Sequence, residues 1–325
     1  MKLTTAQIAS IAKGVVRVYE ENDKVYLCRF TKEQEELYKV RSTDFYRKSF
    51  ATSGVTLEFV TDSRTLALEV SIGFGSSRFY FEHSIFVNGK KYASLGCKGS
   101  EGGVFGGKWR LPEGDKTVKI YFPWSVSSKI TELSLDEGAS LTPVKSTKKM
   151  IMFGDSITHG YDASAPELSY ASRLADALDA EAVNKGIGAE VFYPDMAAAK
   201  DPICPDYITV AYGTNDWSKK SQDFYANCKE FYENLSRNYP QAKIFAITPI
   251  WRKSYGEANT LGTLDDIEAY IKEVAASLPN VTAISGIDLV PHDPKYFSPD
   301  VLHPNDRGFK HYANNLFEKI KKYID

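Results

Sequence analysis

The chain has 325 residues, of which 43% are hydrophobic and 25% charged, values typical of a globular protein with more than one domain. Its 40 basic and 42 acidic residues leave a net charge of −2, so its electrostatics give no reason to expect nucleic acid or an anionic membrane as a partner. No apolar run has transmembrane or signal-peptide length, and four scattered cysteines fit free thiols, so we expect a cytoplasmic protein; a secreted protein trimmed of its signal would look the same.

Residues 1–145 predict an all-β domain, either a sandwich or a jelly roll. Short alternating strands with frequent turn signals follow one another from about residue 50. The glycine-rich segment 98–107 lacks the strand-to-helix setting of a phosphate loop, so we expect a flexible loop there. Three aromatic residues of this domain fit a sugar-stacking platform or, more commonly for such residues, the core: Tyr80, Trp109 and Trp124.

A polar stretch with Gly and Pro at 136–147 indicates a short linker, and the pattern changes on its far side. Residues 146–325 alternate apolar runs of strand length with segments of helical spacing. This alternation predicts an α/β domain with a five-stranded parallel sheet covered by helices on both faces. The strands are expected near 150–153, 182–183, 207–212, 243–248 and 281–285.

The first of these strands ends at Gly154, and Ser156 follows two residues later. Ligands of open α/β sheets bind at the carboxyl ends of the strands, so a nucleophile is well placed there. Gly154, Asp155 and Ser156 also favour a simple turn, which is the alternative interpretation. A nucleophilic serine needs a base, and among the five histidines His303 has an acid, Asp300, three residues before it. The same two residues also fit an ordinary polar surface loop.

An acyl-transfer site further needs donors for an oxyanion. Asn215 follows the clearest buried strand, and its amide is one candidate. Backbone N–H groups are the others, at Ser156 and in the turn from Gly186 to Ala189, where glycine permits close approach of a substrate.

Together these motifs resemble the SGNH (GDSL-type) hydrolases in order and spacing. The resemblance covers about half of the chain and rests on Gly154-Asp155-Ser156, Gly186/Gly188, Gly213-Thr214-Asn215-Asp216 and Asp300-x-x-His303. It implies a flavodoxin-like three-layer fold, with Ser156 as nucleophile, His303 as base and Asp300 as the residue that orients the base. With the preceding β domain, the chain is similar to two-domain esterases such as carbohydrate esterase family 2.

The resemblance also implies oxyanion donors at Ser156 and Asn215, with one departure from the family pattern. The glycine that usually lies five residues after the asparagine at position 184 is here Ala189, so the third donor is either Ala189 or Gly188. No metal or organic cofactor is implied.

The expected function is a serine esterase that acts on small acyl esters, acetyl first among them, on a carbohydrate. Aromatic residues near the expected crevice are candidates for the substrate pocket or for packing: Tyr193, Trp217 and Trp251. Three alternatives stay open. The same residues suit an acyltransferase, the Ala189 departure suits a carbohydrate-binding protein with a weakened site, and His292, Asp293, Asp300 and His303 are close enough in sequence for metal-dependent hydrolysis, although they lack standard ligand spacing.

Overall fold

The computed structural model describes residues 1–99 and 102–324. Its first part consists of two antiparallel sheets packed face to face, as the alternating strands predict. One sheet has the order β1-β4-β9-β6-β7 with β11 beside β4, and the other has the order β2-β3-β10-β5-β8. The strands are β1 (Ala12–Lys13), β2 (Arg17–Glu21), β3 (Lys24–Cys28), β4 (Thr56–Thr61), β5 (Thr65–Phe74), β6 (Phe81–Val87), β7 (Lys90–Cys97), β8 (Gly103–Arg110), β9 (Lys116–Tyr121), β10 (Val126–Leu135) and β11 (Thr142–Pro143).

Alternation of side chains along the strands builds the sandwich core. In β5 every second residue is buried, and β10 pairs with β5 over most of its length. Three short helices accompany the sheets: α1 (Thr5–Ile11), α2 (Lys32–Arg41) and α3 (Thr43–Ser49). Thr4 and Thr31 begin the first two with capping boxes, in which the threonine oxygen accepts from an amide three residues on.

The expectation of a flexible loop at 98–107 is wrong for its second half. Residues 100 and 101 lie outside the described part, but β8 begins at Gly103 and pairs antiparallel with β5. Its glycines pack closely: a Cβ on Gly107 would lie 2.4 Å from the Trp109 ring. Glycine was therefore a sign of tight packing in a strand and not of mobility.

The second part is a parallel sheet of five strands in the order β13-β12-β14-β15-β16, which confirms the predicted α/β class. The strands are β12 (Lys148–Gly154), β13 (Ala180–Asn184), β14 (Tyr207–Ala211), β15 (Lys243–Ile247) and β16 (Val281–Ile284). Residues of β12 alternate between two separate cores: Ile151 and Phe153 enter one, Met150 and Met152 the other. Helices cover both faces, which explains why these strands are apolar throughout.

The helices of this part are α4 (Ser156–His159), α5 (Tyr170–Ala177), α6 (Pro194–Ala198), α7 (Thr214–Lys219), α8 (Phe224–Asn238), α9 (Leu264–Ala276) and α10 (Asp306–Ile320). Helices α6, α8 and α9 contribute to the core that contains Ile151, and α5 and α10 contribute to the other. Short 3₁₀ turns lie at Pro166–Leu168, Pro294–Tyr296 and Lys321–Tyr323. Throughout residues 1–99 and 102–324, no helix has the length and apolar character that a membrane crossing requires.

We propose that the two domains divide at residues 145/146, between β11 and β12.

The sandwich and the α/β part are tied by buried polar contacts. The Arg29 guanidinium of the sandwich donates to the backbone oxygens of Asn184, the last residue of β13, and of Gly186, two residues further on. Trp124 Nε1 donates to the Ala163 oxygen at 3.0 Å. This Trp is buried, so the core interpretation holds for Trp124.

Candidate active site

Ser156 lies where the expected nucleophile should lie, just past the carboxyl end of the interior strand β12, and it is the first residue of α4. Asp155 fixes this turn, because its carboxylate accepts from the Ile157 amide at 2.9 Å. Ser156 is only 7% exposed, so its hydroxyl faces a largely desolvated crevice. Burial raises the pKa of Asp155 to about 6.

The loop before α10 brings His303 to this serine across 147 positions of sequence. His303 Nε2 is 2.8 Å from Ser156 Oγ, and His303 Nδ1 is 2.5 Å from Asp300 Oδ2. The Asp300 carboxylate also accepts from the amides of Leu302 and His303. These contacts fix the tautomer: the Nδ1–H donates to Asp300, and Nε2 is left to accept the serine proton.

The charges of this loop support that arrangement. Partial burial works against ionisation of Asp300, but hydrogen bonds from the His303 ring and from two amides outweigh it and hold the pKa of Asp300 well below its usual range. Asp300 is therefore an anion at neutral pH, suited to orient an imidazole and to stabilise its protonated form. Between the two residues, Val301 has φ 49°, a strained conformation for a β-branched side chain.

The turn after β13 distinguishes between the two candidates for a third oxyanion donor. The Gly188 amide donates to His159 Nδ1 at 3.2 Å, so it is already engaged. Ala189 has φ 72°, the left-handed conformation usually given to glycine. Within the described ranges its N–H has no hydrogen-bond acceptor. Asn215 Nδ2 donates to the Glu190 oxygen at 3.0 Å, which leaves the second proton of the amide free.

His159 supports the site from beneath. It is fully buried, its Nε2 is 2.9 Å from the Trp124 oxygen, and its Nδ1 accepts from Gly188. Burial lowers the pKa of His159 well below its usual value, so the ring is neutral. His159 thus holds the turn from Gly186 to Ala189 against the sandwich and does not face Ser156 as a base.

The three aromatic residues proposed for the substrate pocket are each engaged in packing. Tyr193 lies under the guanidinium of Arg41 at 4.0 Å, Trp217 donates to the Gly262 oxygen, and Trp251 stacks on His292 at 5.6 Å. Their role in substrate binding remains a prediction.

Residues that sequence reasoning missed complete the surroundings of His303. Tyr161 stacks on its ring at 5.6 Å, and Asp162 Oδ2 lies 3.6 Å from Nδ1. Arg78 of the sandwich donates to Asp162 at 2.8 Å and lies over the Tyr161 ring. No sequence signal could have found Arg78, because its contact with Asp162 spans 84 positions and depends on how the two parts pack.

The four residues considered for a metal site, His292, Asp293, Asp300 and His303, do not all converge on one point. His292 Nε2 bonds the Ile287 oxygen and its ring stacks on Trp251. In the described part, Asp162, Asp300 and His303 do offer ligand atoms within 4.8 Å of one another. However, His303 Nδ1 carries the proton that it donates to Asp300, so it has no lone pair for a cation. We therefore assign no metal to this cluster.

The GDSL-like lipase/acylhydrolase family model matches residues 152–311, which include Ser156, Asn215, Asp300 and His303. The α/β part of this chain belongs to that family. The chain is accordingly an enzyme of the ester-hydrolase class. A comparison with curated protein sequences yields no match.

Solved structures with the same two-part fold include a salicylyl-acyltransferase, SsfX3, from a tetracycline biosynthetic pathway, at 22% identity and TM-score 0.83, covering 96% of this chain and 94% of that one. A family two carbohydrate esterase from Cellvibrio japonicus is 16% identical, with TM-score 0.70 and coverage of 99% and 97%. The acetyl xylan esterase Est2A from the rumen bacterium Butyrivibrio proteoclasticus is 16% identical, with TM-score 0.61 and coverage of 85% and 92%. At these identities the likeness shows the fold, with its β-sandwich ahead of the acylhydrolase part.

Proposed function

We propose that the enzyme is a serine esterase that removes small acyl groups, acetyl first among them, from a carbohydrate. The observation that carries this proposal is the continuous hydrogen-bonded chain from Ser156 Oγ through the His303 ring to Asp300. The arrangement matches what acyl transfer by serine requires: a nucleophile, a base within hydrogen-bond reach and an anion that orients the base.

In the proposed mechanism, Ser156 Oγ attacks the ester carbonyl while His303 Nε2 takes the hydroxyl proton. Asp300 stabilises the imidazolium that forms. The negative charge on the carbonyl oxygen is met by the N–H groups of Ser156 and Ala189 and by the free proton of the Asn215 amide. The imidazolium then protonates the departing alcohol, and the acyl group stays on Ser156. Water activated by His303 completes hydrolysis and restores the serine.

Two observations support a small acyl group on a sugar. Ser156 is nearly buried, as is Tyr161 beside His303, and a small acyl group fits such a closed environment better than a long chain. Two of the solved structures with this fold are a carbohydrate esterase and an acetyl xylan esterase.

The test is hydrolysis of p-nitrophenyl esters of increasing acyl length by wild type and Ser156→Ala, with Ser10→Ala in the exposed end of α1 as a matched control. We expect Ser156→Ala to lose at least ~10³-fold in kcat while Ser10→Ala is unaffected. Activity should fall from acetyl to longer chains, and acetate should be released from acetylated oligosaccharides. Undiminished activity of Ser156→Ala would reject the serine mechanism. If a chelator also inhibited that activity, the metal-dependent alternative would replace it.

Acyl transfer is the second candidate, with an alcohol in place of water. The observation that favours it is the fold shared over nearly the whole chain with the salicylyl-acyltransferase. Analysis of the products with and without a sugar as acceptor distinguishes transfer from hydrolysis. New ester at the expense of free acid would indicate a transferase, whereas an unchanged yield of acid would indicate a hydrolase.

A further inference from the structure

The His303 ring faces two carboxylates, of which Asp300 accounts for only one. Nδ1 lies 2.5 Å from Asp300 Oδ2 and 3.6 Å from Asp162 Oδ2. The side chain of Asp300 is 39% exposed, whereas that of Asp162 is 15% exposed. Charges that are less exposed to water are screened less, which offsets part of the effect of the longer distance between Asp162 and the ring.

Asp162 is itself held by the sandwich. Arg78, in the loop between β5 and β6, binds it with two donors, Nε to Oδ1 at 2.8 Å and Nη2 to Oδ2 at 3.2 Å. This bidentate hydrogen bond raises the pKa of Arg78, which is therefore a fixed cation. The same guanidinium lies over the ring of Tyr161 at 5.2 Å, and Tyr161 in turn stacks on His303.

The backbone places Asp162 with little freedom. Its φ is 70°, and it follows Gly160, whose φ of 107° turns the chain after α4. Aspartate and asparagine tolerate this left-handed conformation better than most residues. Replacement by asparagine therefore removes the charge while keeping both the shape and the backbone.

We propose that Asp162 and Arg78 form a positioning pair for His303, in which Asp162 stabilises the protonated ring and Arg78 offsets part of that effect. The sandwich would thereby tune the acid–base chemistry of the α/β part. The inference rests on the proposed role of His303 as base, and it assigns neither residue to direct contact with the substrate.

The charges around the His303 ring determine whether each substitution makes protonation of the ring easier or harder. Within the described part of the chain, the other ionisable groups that interact with the His303 ring are Asp300, Asp155 and Tyr161. Arg252 acts on Asp155 and Asp300, and neither substitution alters any of these groups. Asp162→Asn removes an anion and leaves Arg78 unpaired, so protonation of His303 becomes harder. Arg78→Gln leaves Asp162 unpaired, so protonation becomes easier. The double variant removes both charges and should lie between the two.

The experiment is the pH profile of kcat/KM for a p-nitrophenyl ester between pH 4.5 and 8. We expect the acid limb to move to lower pH in Asp162→Asn and to higher pH in Arg78→Gln, each by roughly 1 pH unit. A matched control is Lys91→Gln, because Lys91 also joins the sandwich to the α/β part, through Glu167, away from His303. Its profile should stay in place.

Shifts in the same direction, or none in either variant, would overturn the proposal, since a purely structural role would lower activity without moving the limb in opposite senses. Titration of the His303 ring by NMR, assigned with His303→Ala, gives a second readout that does not depend on turnover. If Ser156→Ala stayed fully active, the proposed function would fail, and the ring titrations would still decide whether the pair acts on His303.

Discussion

Arg29→Met tests whether the sandwich holds in place the turn from Gly186 to Ala189, which supplies an oxyanion donor in the proposed mechanism. Arg29 is 0% exposed, and its guanidinium donates to four backbone oxygens, those of Ala51, Asn184, Gly186 and Lys48. Burial lowers the pKa of Arg29 to about 9, so the group has given up most of its hydration and still carries its charge at neutral pH. In the described ranges the oxygens of Ala51 and Gly186 accept no other hydrogen bond.

Methionine fills a similar volume but donates nothing, so two buried oxygens lose their only partner. Each such loss costs about 1–3 kcal/mol, and relief from burying the guanidinium offsets part of the total. We expect the free energy of unfolding to fall by about 3 kcal/mol. Because Gly186 precedes Ala189 by three residues, kcat should fall as well, by roughly tenfold, a loss of about 1.4 kcal/mol.

Urea denaturation followed by tryptophan fluorescence measures the first effect, and ester hydrolysis the second. Arg64→Met is the control, because Arg64 is exposed and pairs with the exposed Glu113, so it should lose less than about 1 kcal/mol. An Arg29→Met variant as stable and active as Arg64→Met would refute the idea that Arg29 secures the turn.

Three further predictions concern the site itself. Ala189→Gly should keep kcat within about twofold and gain up to about 1 kcal/mol in stability, because glycine keeps the N–H and relieves the left-handed strain; a large loss of kcat would count against the Ala189 amide as donor. Asp300→Asn should lose less hydrolysis than His303→Ala, since Asp162 still faces the ring; the reverse order would contradict the assigned roles. Burial raises the pKa of Asp216 from 3.8 to about 7. The folded state thus binds the Asp216 proton more tightly than the unfolded state does. The stability that this proton contributes to the fold is lost as pH rises from about 4 through 7. Over the rise from pH 4.5 to 8, the stability of Asp216→Asn in urea denaturation should increase by about 3 kcal/mol relative to wild type, and a difference independent of pH would show that Asp216 is not the cause.

Much of the fold was predictable because its signals are local. The strands of the parallel sheet are continuous apolar runs, as burial on both faces requires, and Asp300 and His303 meet within one turn of chain. The link from Ser156 to His303 spans 147 positions, and only the family pattern suggested it before the structure brought the two atoms together.

The rest depends on packing between distant segments. Arg78 reaches Asp162 only because the sandwich docks beside α4, and nothing near either residue in sequence indicates the contact. Likewise, the Gly188 amide is engaged by His159, a buried histidine whose partner could not be read from spacing. The sequence does not predict the strand β8, because its glycines favour a flexible loop. In the structure, these glycines instead allow Trp109 to pack against the sheet.

The central claim is that Ser156 carries the acyl group during turnover. Rapid acid quenching of the enzyme with p-nitrophenyl acetate, followed by intact-mass and peptide analysis, tests it directly. Wild type should show one added acetyl group, located on the peptide that contains Ser156, and Ser156→Ala should show none. His303→Ala should form the adduct far more slowly than wild type. An acetyl group on another residue, or turnover by Ser156→Ala at the wild-type rate, would contradict the account.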